Sequence, residues 1–573
     1  MPSRLLSWVV VVSFLASGSL VRADDQPKRA PESGAAKAPT LVVRIKPIND
    51  LLSDAKYLAT IAGHEEQASQ VEGLVSQMTG ENGLGGIDLK RPLGVYGTIS
   101  PDLVSSGGVV LVPIVNEQTL IDFLEGYTIK AEKGDDGIYT LKSQFPIPVP
   151  IFLRFANKYA YVTAQNKAAL DKSKLLDPEA VLSSVRQATL SARFRIDQIP
   201  NFAKEMALAQ MELRMAEEQQ KTVPGESKAQ GALRGQIMKN VSDRMASVLK
   251  EGGEVETFLD VDRKANQIVF EMSLAGKPGS ALTRAFADIG HSQSLFAGLA
   301  GDHPALNVVL HFALPEELRK GFEQVVHEGM QKGLEKEKDE ARRESGKKLL
   351  KALEPTIKAG ELDVGVALRG PSESKHYTVI VGVKVKDGQA IESAVHEVLQ
   401  GLPESEREKV KLNAETAGDI KIHRIDGQKD FDEQHRQIFG DNPFFAAIRA
   451  DAIFIAGGER GLDALKNALN IEPRKSAQVV VEASVAGLAP LAAHGDKKAL
   501  TELHKATESS FKSDKDADKI RFSLEGGKAL KARFAMDAAV VKFIAQVSQN
   551  PALKDLHGPA RTGKKPAKKS DDE

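Results

Sequence analysis

The 573-residue chain contains no cysteine and one tryptophan, Trp8. Disulfides, a thiolate nucleophile, a thiolate metal site and a lipidated cysteine are therefore excluded, and the fold has to be held by apolar cores. Aromatic residues make up 5% of the chain and the formal charge is -1 at pH 7. That balance offers neither the basic, aromatic-interleaved face that nucleic acid needs nor a global attraction to anionic membrane. No apolar run after the first residues approaches the roughly 20 residues that cross a bilayer.

What is present begins with an export signal. Arg4 precedes the apolar run Leu5 to Leu15, and Val21-Arg22-Ala23 is a small-x-small cleavage pattern before Asp24. The expectation is a signal peptide over 1–23, a flexible Pro-containing linker over 24–40, and no membrane span after cleavage.

The mature chain is organised around one pattern, Gly108 to Tyr127. Val109 to Ile114 is a buried-strand run. Asn116 is an N-cap, Leu120, Ile121 and Leu124 form a helical stripe, and Gly126 closes it. The pattern returns at Gln267 to Leu274 with the stripe Ala281, Leu282, Ala285, Phe286 and Ile289. It returns again at Tyr377 to Val385 with Asp387 as cap, and at Leu530 to Met536 with Asp537 as cap. Fourfold agreement with one template indicates internal repeats.

Each copy is preceded by an opening strand and helix and by a hairpin partner strand. The openings are Leu41 to Ile45, Leu190 to Ile196, Leu306 to Phe312 and Val479 to Val485. The first and third units carry an extra block: a strand at Ile138 to Lys142 or Ile420 to Ile425, two further strands, and a helix at Lys167 to Leu176 or Leu462 to Leu469. This divides the chain into a long unit over 41–187, a short unit over 188–300, a long unit over 301–476, a short unit over 477–548, and a disordered Lys/Pro-containing tail over 549–573. Hairpins alternating with helices predict an α+β fold, tandem repeats of antiparallel sheet with helices packed on one face. Phe202 to Lys250 breaks near Pro224-Gly225 and is expected to be a helical hairpin. Leu318 to Lys358 carries Asp339/Arg343 and Glu344/Lys348 at i,i+4 spacing, a solvated helix face.

Catalytic signatures are missing. There is no H-E-x-x-H, no G-x-S-x-G elbow and no phosphate loop; Gly80 to Gly86 reads as a loop leading into the first hairpin, whose entry Arg91 and Pro92 fix. No cofactor is expected. The densest set of possible metal ligands is Asp430, Asp432, Glu433 and His435, with His423 on the preceding strand. Carboxylates and imidazole together suit a divalent cation, but in a polar loop they also simply stay in water.

The phrases GIDLKRPLGVYGTI (Gly86 to Ile99), GGVVLVPIVNEQTLIDFL and IFLRFANKYAYVTAQNKAAL (Ile151 to Leu170) resemble a family of exported bacterial proteins of unknown function built from such repeats. The resemblance implies export and repetition, and no catalytic residue. The leading expectation is an exported, periplasmic or secreted, non-enzymatic binding or structural protein of the cell envelope with an envelope or extracellular partner. The alternative is a hydrolase whose site is assembled from dispersed carboxylates and His across repeats. A third class, a carrier of apolar cargo, stays open. Convergent acids or His in one cleft favour the enzyme, and an open apolar groove favours the binder.

Cleavage after Ala23 removes Trp8, so exported protein should begin at Asp24 and emit as a tyrosine-only protein. N-terminal sequencing and an emission spectrum check this, and a tryptophan band from mature material contradicts it.

Overall fold

The computed structural model describes residues 38–553 except 68, 71–72, 74–84, 102–105, 144–148, 220, 222, 224, 428–431, 494–495, 513 and 515. The expected signal peptide, the linker before residue 38 and the tail beyond 553 lie outside the described residues.

The protein is α+β. In chain order the strands are β1 (Leu41–Ile45), β2 (Leu93–Thr98), β3 (Gly107–Pro113), β4 (Ile129–Lys133), β5 (Tyr139–Ser143), β6 (Ile151–Ala156), β7 (Tyr159–Ala164), β8 (Leu190–Arg195), β9 (Gly252–Asp262), β10 (Gln267–Gly276) and β11 (Gln293–Ser294). They continue as β12 (Leu306–Ala313), β13 (Glu361–Arg369), β14 (Thr378–Lys384), β15 (Val410–Ala417), β16 (Ile420–Ile425), β17 (Phe444–Arg449), β18 (Ala452–Gly458), β19 (Arg474–Lys475), β20 (Val479–Ser484), β21 (Lys519–Glu525) and β22 (Leu530–Asp537). Apart from the small β11–β19 pair, they form one 20-stranded sheet.

Every ladder in that sheet is antiparallel. From edge to edge the order is β4-β5-β6-β7-β3-β2-β1-β8-β9-β10-β22-β21-β20-β12-β13-β14-β18-β17-β16-β15. The order runs inward from both edges in the same way. β3 and β14 each lie fifth from their own edge, and β10 meets β22 in the middle, where Phe270 faces Phe534.

The helices that follow β3, β10, β14 and β22 are α1 (Glu117–Gly126), α2 (Ala281–Gly290), α3 (Gly388–Gln400) and α4 (Ala538–Gln549). Their starts follow the capping rule. The side chains of Asn116, Ser280 and Asp387 accept from the backbone N–H three residues on. Asp537 occupies the N-cap of α4 but makes no side-chain cap bond, because its carboxylate is already taken. It accepts from the Lys519 N–H at 3.0 Å, from Gln267 at 3.0 Å and from Arg521 at 3.1 Å.

Successive strand residues point to opposite faces, so the register assigns every side chain to one face. α1, α2 and α3 pack on one face, against Ile114 and Ala160, against Leu274 and Leu530, and against Val385 and Ile453 respectively. α4 packs on the helices Ile48–Ala62 and Lys497–Phe511. The opposite face carries two separate cores over the outer strands. One joins Val42, Tyr96, Leu111 and Tyr161 to Leu170 and Leu182. The other seats the segment Leu295 to Ala300 and the helix Gly461–Ala468 on Ala367, Ile380 and Phe454.

Three local expectations are corrected, and two edge strands are added. The helix expected over Lys167 to Leu176 is two 3-10 turns, Lys167–Leu170 and Lys172–Lys174, and the Leu170 carbonyl accepts from Arg154 instead of from the next helical turn. Edge strands β4 and β15 were not legible, since their mixed polar and apolar positions hide the period. The charged insertion is two helices, Glu316–Lys336 and Glu340–Ala359. Asp339 caps the second, where Arg343 pairs with Glu340 and Lys347 with Glu344 in place of the expected Asp339/Arg343 and Glu344/Lys348 pairs, and Glu354–Lys358 is an i,i+4 pair. The tail begins later than expected, because Leu553 is fully buried against Leu503 and Val547. The hairpin entry is as read: Arg91 pairs with Asp88 at 3.1 Å, and burial pushes the Tyr159 phenol up to about 12, keeping its hydroxyl a donor to the Pro92 carbonyl.

Phe296 packs against β13 and β14 because Gly365 and Gly382 have no Cβ; one built at Gly365 would come within 2.4 Å of Phe296 Cβ, and one at Gly382 within 2.3 Å of its ring. Phe296→Ala should cost about 3–5 kcal/mol, and Gly382→Ala about 1–3 kcal/mol by overpacking, both read from urea unfolding.

Candidate functional site

The face that carries α1, α2 and α3 has an unusual middle. One row of direct cross-strand partners runs Leu93, Ile45, Leu190, Leu259, Phe270, Phe534, Phe522, Val481, Val308, Val366, Val381, Ile455, Ala446. It contains no polar side chain. At about 4.8 Å per strand step its length is on the order of 60 Å. The next row adds Val110, Val95, Val43, Ala192, Thr257, Met272 and Ala532, with Thr257 its one polar member in that stretch.

These side chains are not sealed by the helices. Leu190 is 42% exposed, Leu259 39%, Phe270 44%, Met272 42%, Val110 42% and Ile455 42%. Isolated exposed apolar residues are ordinary, but a contiguous strip marks an interaction surface. The reverse side of the same central strands carries ion pairs: Arg533 pairs with Glu271 at 3.0 Å, Arg193 with Glu256, and Gln267 bonds Asp537. The alternation of β9, β10, β21 and β22 therefore puts the continuous apolar row on one side and the ion pairs on the other, where Phe258, Val269 and Ala535 form only a small buried cluster with Ala188.

The helices make walls. Phe286 and Ile289 of α2 cover Leu274, Leu524, Leu530 and Val479, closing the floor at one end of the central strands. On β10 the floor that stays open runs from Ile268 to Met272, about 14 Å of strand.

The residues singled out as possible ligands do not gather. Asp430 lies outside the described residues. Asp432 caps the short helix Glu433–Phe439, accepting from the His435 N–H at 2.8 Å and pairing with His435 Nδ1 at 2.7 Å. Glu433 is exposed in the first turn, where it complements the helix dipole. His423 is elsewhere. It extends the apolar row past Ala446, is 3% exposed, and sits beneath α3.

There His423 meets two residues that were not singled out, Glu392 and His396, one turn apart on α3. Their ligand atoms and that of His423 lie within 4.8 Å of one another. The only trace in the sequence was the Glu-x-x-x-His spacing, which nothing tied to His423. Protons decide what this cluster can do. His423 Nδ1 accepts the Asn413 backbone N–H at 3.2 Å, so its Nε2 carries the hydrogen and donates to Glu392 Oε1 at 3.1 Å. A metal-bound imidazole needs the reverse, a lone pair on the ligating nitrogen and an N–H on the other aimed at an acceptor. His396 Nε2 lies 3.1 Å from the same Glu392 oxygen. The trio is thus built as a cross-link between α3 and β16.

No family model matches the sequence, and no curated protein matches it. Among solved structures, crystal form IV of TP0453 is similar at 10% identity over 41% of this chain and 76% of that one, with a TM-score of 0.20. Crystal form III of TP0453 is similar at 10% identity over 44% and 81%, with a TM-score of 0.21. Likeness at that level carries no argument about fold or function.

His423→Ala removes a buried donor from Glu392 and should cost about 1–3 kcal/mol. His435→Ala, in an exposed first turn, should change stability by less than about 0.5 kcal/mol. Denaturant unfolding of the two variants checks the ordering.

Proposed function

We propose that the protein is an exported, non-enzymatic binding protein of the cell envelope whose binding element is the apolar floor of the sheet, and that its ligand is the hydrocarbon part of a lipid. The observation that carries this is the row from Leu93 to Ala446, apolar at every strand and open to solvent over its middle. Each methylene moved from water onto such a surface gains about 0.8 kcal/mol. The floor's chemistry selects the occupant. An extended peptide would lay amide groups on a surface with neither donor nor acceptor to meet them, whereas an acyl chain brings none. Helices α1, α2 and α3 stand on the same face and hold off a second flat sheet. Export, expected from the first 23 residues, would bring the protein among lipids.

The hydrolase alternative would draw on Glu392, His396 and His423, where both imidazole Nε2 atoms meet Glu392 Oε1, His423 Nδ1 is taken by the Asn413 N–H, and Glu392 Oε2 is buried without a hydrogen-bond partner.

Mature protein titrated with a fluorescent acyl chain probe should bind it with a blue-shifted emission. Phe270→Glu and, separately, Ile455→Glu should each weaken binding at least about tenfold, or ~1.4 kcal/mol, with little change in Tm because both side chains are already two-fifths exposed. Absence of probe binding, or binding indifferent to both variants, would overturn the reading.

A further inference from the structure

The row from Leu93 to Ala446 crosses the sheet transverse to its strands, and no member of it is buried. A second row beside it is apolar as well. Ile268 stands opposite Met536, Met536 opposite Ile520, Ile520 opposite Ala483, and Ala483 opposite Leu306, which faces Leu368. Each of these side chains is partly exposed, and the two rows lie two residues, about 7 Å, apart. They border a shallow trough that runs across the strands. On the side away from the second row, α2 bounds it, because Leu274, Leu524, Leu530 and Val479 lie beneath Phe286 and Ile289.

Helices stand at both ends of the trough. Past Leu93, Val112 and Ala160 lie under Leu120 of α1. Past Ala446, His423 lies under α3 and bonds Glu392. Between these helices the open row is on the order of 60 Å long. The hydrocarbon core of a bilayer, two acyl chains deep, is about 30 Å thick, so one ordinary acyl chain covers about 15 Å, a quarter of the row.

We propose that the floor is a trough for one long hydrocarbon chain, that of a polyprenyl lipid, laid across the strands from β2 to β17. The assignment rests on the hydrocarbon-binding reading and adds the length of the ligand to it. A file of short lipids fills the row less well for two reasons. Each member loses its translational freedom separately, whereas a single chain of the same total length loses it once. Each member also sets a polar end on a row that has no polar side chain to meet it.

Mature protein is titrated with a long and a short polyprenyl alcohol, undecaprenol and geranylgeraniol, each delivered from cyclodextrin, and the bound copies are counted by native mass spectrometry. Added methylenes raise affinity only where they find apolar floor, so undecaprenol should bind as one copy per protein and at least about tenfold more tightly than geranylgeraniol. Leu190 on β8 and Ile455 on β18 stand about 40 Å apart along the row, and the long chain lies over both. Leu190→Glu and, separately, Ile455→Glu should each cancel most of its advantage. Both side chains are 42% exposed, so the variants should fold as the wild type does, which their Tm checks. Undecaprenol binding no more tightly than geranylgeraniol, binding in more than one copy, or keeping its advantage in either variant overturns the single long chain while the hydrocarbon reading stands. If neither alcohol binds, both readings fall.

Discussion

The ladder between β10 and β22 is the joint on which the architecture depends. Eight residue pairs, Gln267 with Asp537 through Leu274 with Leu530, unite two ten-strand halves that each end in an otherwise free edge. An unpaired edge of that length is a liability, and pairing the two edges with each other removes both. The same ladder is cross-linked on its polar side by Glu271–Arg533 and Gln267–Asp537, while its other side contributes Phe270 and Phe534 to the floor. If the joint opened, the apolar row would become two shorter rows, each terminating at an exposed strand edge.

The helical and hairpin elements were largely legible, because each announces itself locally. The caps Asn116 and Asp387 and the strands that alternate with them lie where the period of two and the helical stripe put them. The failures have physical causes. β4 and β15 lie at the outer edges, where charged residues such as Lys133 and Glu415 suit solvent and erase the alternation. Lys167 to Lys174 has helical composition, but Arg154, distant in sequence, claims a carbonyl that the helix would have needed.

The site was much less legible than the fold. An alternating strand such as Ile268, Phe270, Met272 says that one face is apolar, and the ordinary inference is that this face is covered. Whether a helix arrives to cover it depends on where α2 seats, which is a matter of Phe286 and Ile289 finding Leu274 and Leu530 rather than Phe270. In the same way Glu392 and His396 become partners of His423 only once α3 lies over β16. Conversely, proximity in sequence grouped Asp432 and Glu433 with His423, although Asp432 serves as the cap of its own helix.

The difference between the long and short stretches of the chain accounts for where the floor is open. The outer strands are backed on the reverse face by Leu170 and Leu182 on one side and by the helix Gly461–Ala468 on the other, which come from the additional blocks at 129–183 and 410–468. The central strands β8, β9, β10, β20, β21 and β22 have no such block, so much of their reverse face has to be soluble in its own right. Arg193, Glu256, Glu271 and Arg533 make it so. Pairing charges across strands gives that face little net stability, about 0–1 kcal/mol per exposed pair. Beyond the small buried cluster of Phe258, Val269 and Ala535 on that face, the central strands draw their burial from the other face, where α2 covers only part of the width. What remains is an apolar strip whose desolvation is incomplete in the isolated chain, and a hydrocarbon ligand completes it with the least demand for matching polar groups.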